Sequence, residues 1–204
     1  SEFRIPGMQN FEAVSEISAE NDWGIAAMWL TAGVFSGAES GGIVCKGLNR
    51  SSHQASRNTL ILAPMVASDF TELTITAEND LAIAPLLAVK GAVTDGTLHI
   101  KNIASLRECE SDRLRTMVRC LASLGIEATD KYDTLTVHGS AEPNYSEDAC
   151  VDVSEDPAIM MAFALGASVI KRPFLMKGEE IINKIYPEFF EDYKSLGGKF
   201  EIVE

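Results

Sequence analysis

Three segments of this chain share one pattern, and any fold it adopts must accommodate all three. Glu20-Asn21-Asp22-Trp23-Gly24-Ile25-Ala26-Ala27, Glu78-Asn79-Asp80-Leu81-Ala82-Ile83-Ala84-Pro85 and Glu155-Asp156-Pro157-Ala158-Ile159-Met160-Met161-Ala162 each set acidic or amide residues ahead of an alanine-rich apolar run. Self-similarity of this kind marks a chain built from copies of one supersecondary unit. Asn and Asp accept hydrogen bonds from the N–H groups of a helix start, and a negative charge suits the positive end of the helix dipole. Each segment therefore predicts the opening of a helix. The runs are apolar nearly all round, which predicts helices buried on most faces.

The residues behind each run repeat as well. A Gly or Pro breaks the run, and a short strand is expected at Gly42–Cys45, Thr97–Ile103 and Phe174–Lys177. The middle strand alternates, with apolar Leu98 and Ile100 between polar His99 and Lys101. An amphipathic helix is expected from about Ser111 to Leu124, stopped by Gly125. Another has Pro187 in its first turn and Gly197-Gly198 at its end. Further strands are expected at Glu72–Thr76, Thr134–Val137 and Phe200–Val203. The unit reads strand–helix–strand–helix–strand–strand, used three times, over about 14–70, 71–140 and 148–204. In the first unit, little room remains for a hairpin between Gln54 and the Glu72 strand. The expected fold is α/β: one domain over 8–204, buried helices inside and sheets outside, with residues 1–7 read as an appended tag. A doubly wound α/β sheet is the rival arrangement.

Charge narrows the function classes. The net charge of −13 repels nucleic acid and anionic membranes, so neither is an expected partner, and an anionic ligand needs a local basic pocket. No apolar run has the length of a membrane span, and no basic start precedes an apolar stretch as in a signal peptide. Cys45, Cys109, Cys120 and Cys150 show no CxxC spacing, and His53, His99 and His138 are scattered, so no metal site is expected. Unpaired thiols suggest a reducing, cytoplasmic setting.

The most specific stretch is Lys101-Asn102-Ile103-Ala104-Ser105-Leu106-Arg107-Glu108-Cys109-Glu110-Ser111-Asp112-Arg113-Leu114. It resembles the Leu-Arg-x-Lys-Glu-Ser-Asp-Arg signature of the 5-enolpyruvylshikimate-3-phosphate synthases. Other pieces match that family in order: Asn21-Asp22-Trp23, the loop Gly47 to Gln54, Glu78-Asn79-Asp80, and Lys184-Ile185-Tyr186-Pro187-Glu188-Phe189-Phe190. The resemblance covers nearly everything after Glu16 and is to the second of the family's two domains. The related UDP-N-acetylglucosamine enolpyruvyl transferases lack the central signature and match less well.

The resemblance implies a transferase of the shikimate pathway, in aromatic amino-acid biosynthesis. It would move the carboxyvinyl group of phosphoenolpyruvate onto the 5-hydroxyl of shikimate 3-phosphate and release phosphate, with no cofactor. Such chemistry calls for acid–base groups in hydrogen-bond reach of both substrates and for cations facing their phosphates and carboxylates. Asp80 matches the family's catalytic base; as a bare pattern it is a helix cap like Asp22 and Asp156. Glu110 and Arg113 match its proton-transfer glutamate and a phosphoenolpyruvate-binding arginine; as a bare pattern they belong to a helix start capped by Ser111. Lys184 matches a lysine near the phosphoenolpyruvate phosphate, or is a solvated lysine. Gln54, with Ser52, matches a loop near the cleft and is read mainly as structural. Arg107 is structural or lies at the cleft edge.

Several positions depart from the family. Its Asp-His-Arg reads Asp156-Pro157-Ala158, its signature lysine is Cys109, Ser105 stands where some members have asparagine, and Ala55-Ser56 replaces Gly-Asp. Losing a charged donor to a bound anion costs a few kcal/mol. The family's first domain supplies much of the shikimate phosphate pocket, so this half is expected to be inactive alone. Only Met8–Val14 stands where the family threads its N-terminus into the second domain. The alternative is a non-catalytic domain that binds a small anion or a protein partner and self-associates through an uncovered face. An unrelated α/β enzyme finds no nucleophile motif or phosphate loop in its support.

Overall fold

The computed structural model describes residues 2–10, 16, 18–37, 42–49, 51–54, 59–146 and 148–203. Ala55 and Ser56, most of the segment 11–17 and Arg50 lie outside the described residues.

Three apolar helices form the centre: α1 (Trp23–Phe35), α3 (Ala84–Ala92) and α5 (Pro157–Gly166). They pack against one another, and most of their side chains are buried. Sequence explains their starts. Asp22 accepts hydrogen bonds from the N–H groups of Gly24 at 2.6 Å and Ile25 at 3.1 Å. Asp156 does the same for Ala158 at 2.9 Å and Ile159 at 3.3 Å. Pro157 sits in the first turn, where its missing N–H has no intrahelical partner to lose. Helices α3 and α5 approach closely at Gly166, where an added Cβ would lie 2.4 Å from Val89 Cγ1.

A four-stranded sheet covers this bundle. It consists of β1 (Glu72–Thr76), β2 (Gly96–Lys101), β3 (Glu127–Lys131) and β4 (Thr134–Gly139), in the order β1-β2-β4-β3. Strands β1 and β2 are parallel, and the other two pairings are antiparallel. The register sets Leu98 opposite Val137 and Ile100 opposite Leu135, all buried. On the outer face His99 Nδ1 and Thr136 Oγ1 lie 2.9 Å apart. Helix α4 (Arg113–Ser123) packs behind β3 and turns Leu114, Met117 and Leu121 inward. A second, parallel pair joins β5 (Cys150–Asp152) to β6 (Leu175–Lys177).

The α/β class therefore holds, but the repeat is complete only in the middle unit among the described residues. Helix α2 (Thr59–Ala67) is followed by β1 after residues 68–71 alone, as the short first unit foreshadowed. The strand expected at Gly42–Cys45 is not formed; the segment runs without ladder pairing. A strand needs a neighbour to take its N–H and C=O groups, and this unit offers none among the described residues. The strand expected at Phe200–Val203 is also absent. Phe200 instead packs on Phe190, with ring centroids 4.8 Å apart, and against Tyr193. Helix α6 (Phe189–Ser195) begins after Pro187 rather than on it. Helix α2 leaves Leu60, Ile61 and Met65 exposed. Among the described residues no helix is long and apolar enough to cross a membrane.

Phe189 fastens the last helix to the core. It is fully buried, with ring centroids 5.5 Å from Trp29, 5.8 Å from Tyr186, 5.3 Å from Phe190 and 5.9 Å from Tyr193. Phe189→Ala is expected to cost about 3–5 kcal/mol, read as a fall in the urea midpoint at constant m.

Two groups contribute most to the alkali sensitivity of folding. Burial pushes the Cys120 thiol from 9.0 up to about 11. Burial, and the hydrogen bond and charge of Asp192 at its hydroxyl, push Tyr186 from 10.0 up to about 12. The folded chain thus keeps protons that the unfolded chain has released. Stability from these groups is full below about pH 9 and is lost as pH rises toward 12. Chemical denaturation across this range should show that decline, and Cys120→Ala should flatten its lower part.

Candidate functional site

In a parallel pair the strands' carboxyl ends lie side by side, and ligands of α/β proteins gather beyond such ends. Here β1–β2 and β5–β6 each end in the segments that carry the candidate residues. Beyond β1 and β2, Ala77 N–H donates to Lys101 O at 3.1 Å, and Asn102 Nδ2 donates to Glu78 Oε2 at 3.1 Å. Asp80 follows β1, and Glu110 and Arg113 follow β2. Beyond β5 and β6, Val153 N–H donates to Lys177 O at 2.9 Å. Asp156 follows β5, and Lys184 ends the 3-10 turn Glu179–Lys184 that follows β6. Gly178 opens that turn at φ 85°, and a Cβ there would lie 2.6 Å from Ser154 Cα, so the turn presses on the loop that leads into Asp156.

Arg113 and Asp156 join the two sets. Arg113 Nε donates to Asp156 Oδ2 at 2.8 Å, and the Ser111 hydroxyl lies 3.1 Å from the same oxygen. The cap of α4 is accordingly Asp112, whose side chain accepts from Arg115 N–H, and not the expected Ser111. The serine is turned away to the buried carboxylate. Glu110 is exposed on the bend just before them.

Asp80 is 2% exposed and departs from its counterparts Asp22 and Asp156. Its side chain makes no capping bond, because a 3-10 turn over Leu81–Ile83 intervenes before α3 and Pro85 removes an N–H from the first helical turn. Its position is that of a cap; its carboxylate is not engaged as one.

Arg107 is committed elsewhere. It donates to Tyr132 O at 2.8 Å and pairs with Asp112 at 2.9 Å and Asp130 at 2.8 Å, so it clamps the β3–β4 turn to the start of α4. These partners hold its proton even more firmly than usual, the Asp130 hydrogen bond above all. Gln54 secures the start of α1: its Oε1 accepts Trp23 N–H at 2.6 Å, and its Nε2 reaches Glu20 Oε1 and Asn21 O, each at 3.1 Å. Ser52 Oγ donates to Glu20 at 2.8 Å. The Gln54 and Ser52 hydrogen bonds hold the Glu20 carboxyl below its usual range. Lys184 is exposed and makes no hydrogen bond or ion pair among the described residues. Beside this site, Asp112, Arg115, Thr116, Arg119 and Glu155 line a shallow depression of about 220 Å³, with Arg119 bound to Glu155 at 3.0 Å. Among the described residues no group of three or more His, Cys, Asp or Glu side chains is placed to hold a metal ion.

Comparison with known proteins identifies the family and the fold. The family model for EPSP synthase (3-phosphoshikimate 1-carboxyvinyltransferase) matches residues 1–193. The 3-phosphoshikimate 1-carboxyvinyltransferase of Clostridium kluyveri is 33% identical over 214 residues, covering 98% of this chain and 48% of the relative. That of Clostridium acetobutylicum is 32% identical over 208 residues, covering 96% and 47%. The chain spans about half the length of the curated relatives it matches. Among solved structures, an EPSP synthase from Acinetobacter baumannii aligns with a TM-score of 0.71 at 17% identity, over 91% of this chain and 48% of that one. The enolpyruvyl transferase NikO from Streptomyces tendae aligns with a TM-score of 0.55 at 15% identity, over 90% and 44%. These two show a shared fold. With a family model along nearly its whole length and curated relatives above 30% identity, the chain belongs to the EPSP synthase family.

Proposed function

We propose that this chain is the second half of a 3-phosphoshikimate 1-carboxyvinyltransferase that acts in the cytoplasm and carries the acid–base groups of the reaction. The observation that supports this most is the anchoring of Ser111 and Arg113, which follow Glu110 in the chain, on the buried Asp156, beyond the carboxyl ends of two parallel strand pairs.

In this reading Asp80 takes the proton of the 5-hydroxyl of shikimate 3-phosphate as its oxygen bonds to the enol carbon of phosphoenolpyruvate. Glu110 delivers a proton to the methylene carbon. The tetrahedral adduct then expels phosphate as the methyl group gives a proton back, which restores the double bond. Arg113 and Lys184 hold the carboxylate and phosphate of phosphoenolpyruvate, a role suited to a guanidinium fork and a mobile ammonium. Arg107 and Gln54 act on the site's framework, since their donors are used within the protein. The shikimate phosphate is held largely by the other half of the enzyme, and closure of the two halves excludes water.

The test is phosphate release from phosphoenolpyruvate plus shikimate 3-phosphate, by the chain alone and mixed with the first domain of a relative. Release is expected only in the mixture. Asp80→Asn or Glu110→Gln should each lower kcat by about 100-fold or more, the usual worth of a general acid or base. No release by a folded chain in either setting would overturn the reading in favour of a domain that only binds an anion or a partner.

A further inference from the structure

Asp156 is fully buried, and a buried carboxylate needs partners for both of its oxygens. It finds them on two different elements. Oδ1 accepts from Ala158 and Ile159 and caps α5; Oδ2 accepts from Arg113 Nε at 2.8 Å and the Ser111 hydroxyl at 3.1 Å. Only Nε of Arg113 is used. Among the described residues its two terminal nitrogens have no protein partner, and the side chain keeps 15% exposure. A guanidinium held through Nε has its plane set, and its terminal N–H groups form a fixed fork of the kind that fits a carboxylate or phosphate. Ala158 brings no second cation to this end of α5.

We propose that Asp156 is a positioning residue: it fixes Arg113 so that the two terminal nitrogens meet the anionic group of phosphoenolpyruvate. The inference rests on the reading of Arg113 as an anion-binding residue. Two roles for Asp156 predict opposite signs. As a mere negative charge it neutralises Arg113, and its removal would tighten anion binding. As a positioning group its removal loosens binding, although the local charge becomes more positive. Asparagine separates the two. Its single carbonyl can cap α5 or face Arg113 but not both, and its amide then meets a donor with a donor.

The experiment titrates phosphoenolpyruvate into the chain. Calorimetry gives the affinity, and the Arg113 Nε–Hε resonance is followed by NMR. In the wild-type chain the ligand should shift that resonance. Asp156→Asn should weaken binding by about 10- to 100-fold, the scale set by a displacement of about 1 Å, while a cooperative thermal transition is retained. If that variant fails to fold, Ser111→Ala decides instead: it removes one contact at Oδ2 and leaves the α5 cap alone, and a measurable loss of affinity is expected. Equal or tighter binding by the folded variants, or an Arg113 resonance blind to phosphoenolpyruvate, would overturn the proposal. A wild-type chain whose Arg113 responds, but which releases no phosphate in any mixture, fails the carboxyvinyl-transfer reading and still supports positioning.

Discussion

One buried carboxylate ties the structure together. Asp156 lies at the start of α5 with no solvent exposure, and its two oxygens receive four hydrogen bonds from two parts of the chain. A charge removed from water is tolerable only when it is paired and fully hydrogen-bonded, and breaking such a pair costs about 3–5 kcal/mol. The contact therefore fixes the start of α4 relative to the start of α5 far more firmly than the exposed Arg119–Glu155 pair beside it, which is half solvated. Once these two helix starts are fixed, the loops beyond β2 and β5 are fixed with them, and so are Glu110 and Arg113.

The same arrangement explains which parts of the fold could be read in advance. Helix starts at Asp22 and Asp156 were legible because capping is local: the acceptor lies two or three residues from the donors it serves. Strand β1 and the start of β4 were legible because alternation at Leu73, Ile75, Leu135 and Val137 is local as well. The segments at Gly42–Cys45 and Phe200–Val203 misled because Ile43, Val44, Ile202 and Val203 have strand propensity and, among the described residues, no strand beside them. β-propensity describes a fit to a pleated, half-buried surface, and it fails where that surface is absent.

The site was half legible for a related reason. Glu110 and Arg113 stand in a contiguous stretch that resembles the family signature, so the resemblance picked them out as candidates. The partnership of Arg113 with Asp156 spans 43 positions and joins two repeat units. Reading Asp156 as a helix cap accounted for one oxygen and left the other unexamined. Ser111 was misplaced by the same logic, since a serine ahead of a helix reads as its cap until a stronger acceptor elsewhere claims the hydroxyl. Only the hydrogen-bond inventory of a buried group, which must be complete, exposes such pairings.

That inventory also bears on how, in the proposed reading, this chain would hold an anion despite a net charge of −13. Counting arginines near the site overstates its basicity, because Arg107 is bound to two carboxylates and Arg119 to another. Arg113 gives up one nitrogen and keeps the two best suited to bidentate recognition. Lys184, on the turn beyond β6, supplies a charge whose position the protein does not hold. In the proposed reading an anion would be oriented by the Arg113 fork, with the exposed Lys184 adding charge. Pro157 and Ala158 leave the α5 cap intact, and in the proposed reading they would shift the burden of orientation onto the arginine that the buried carboxylate holds.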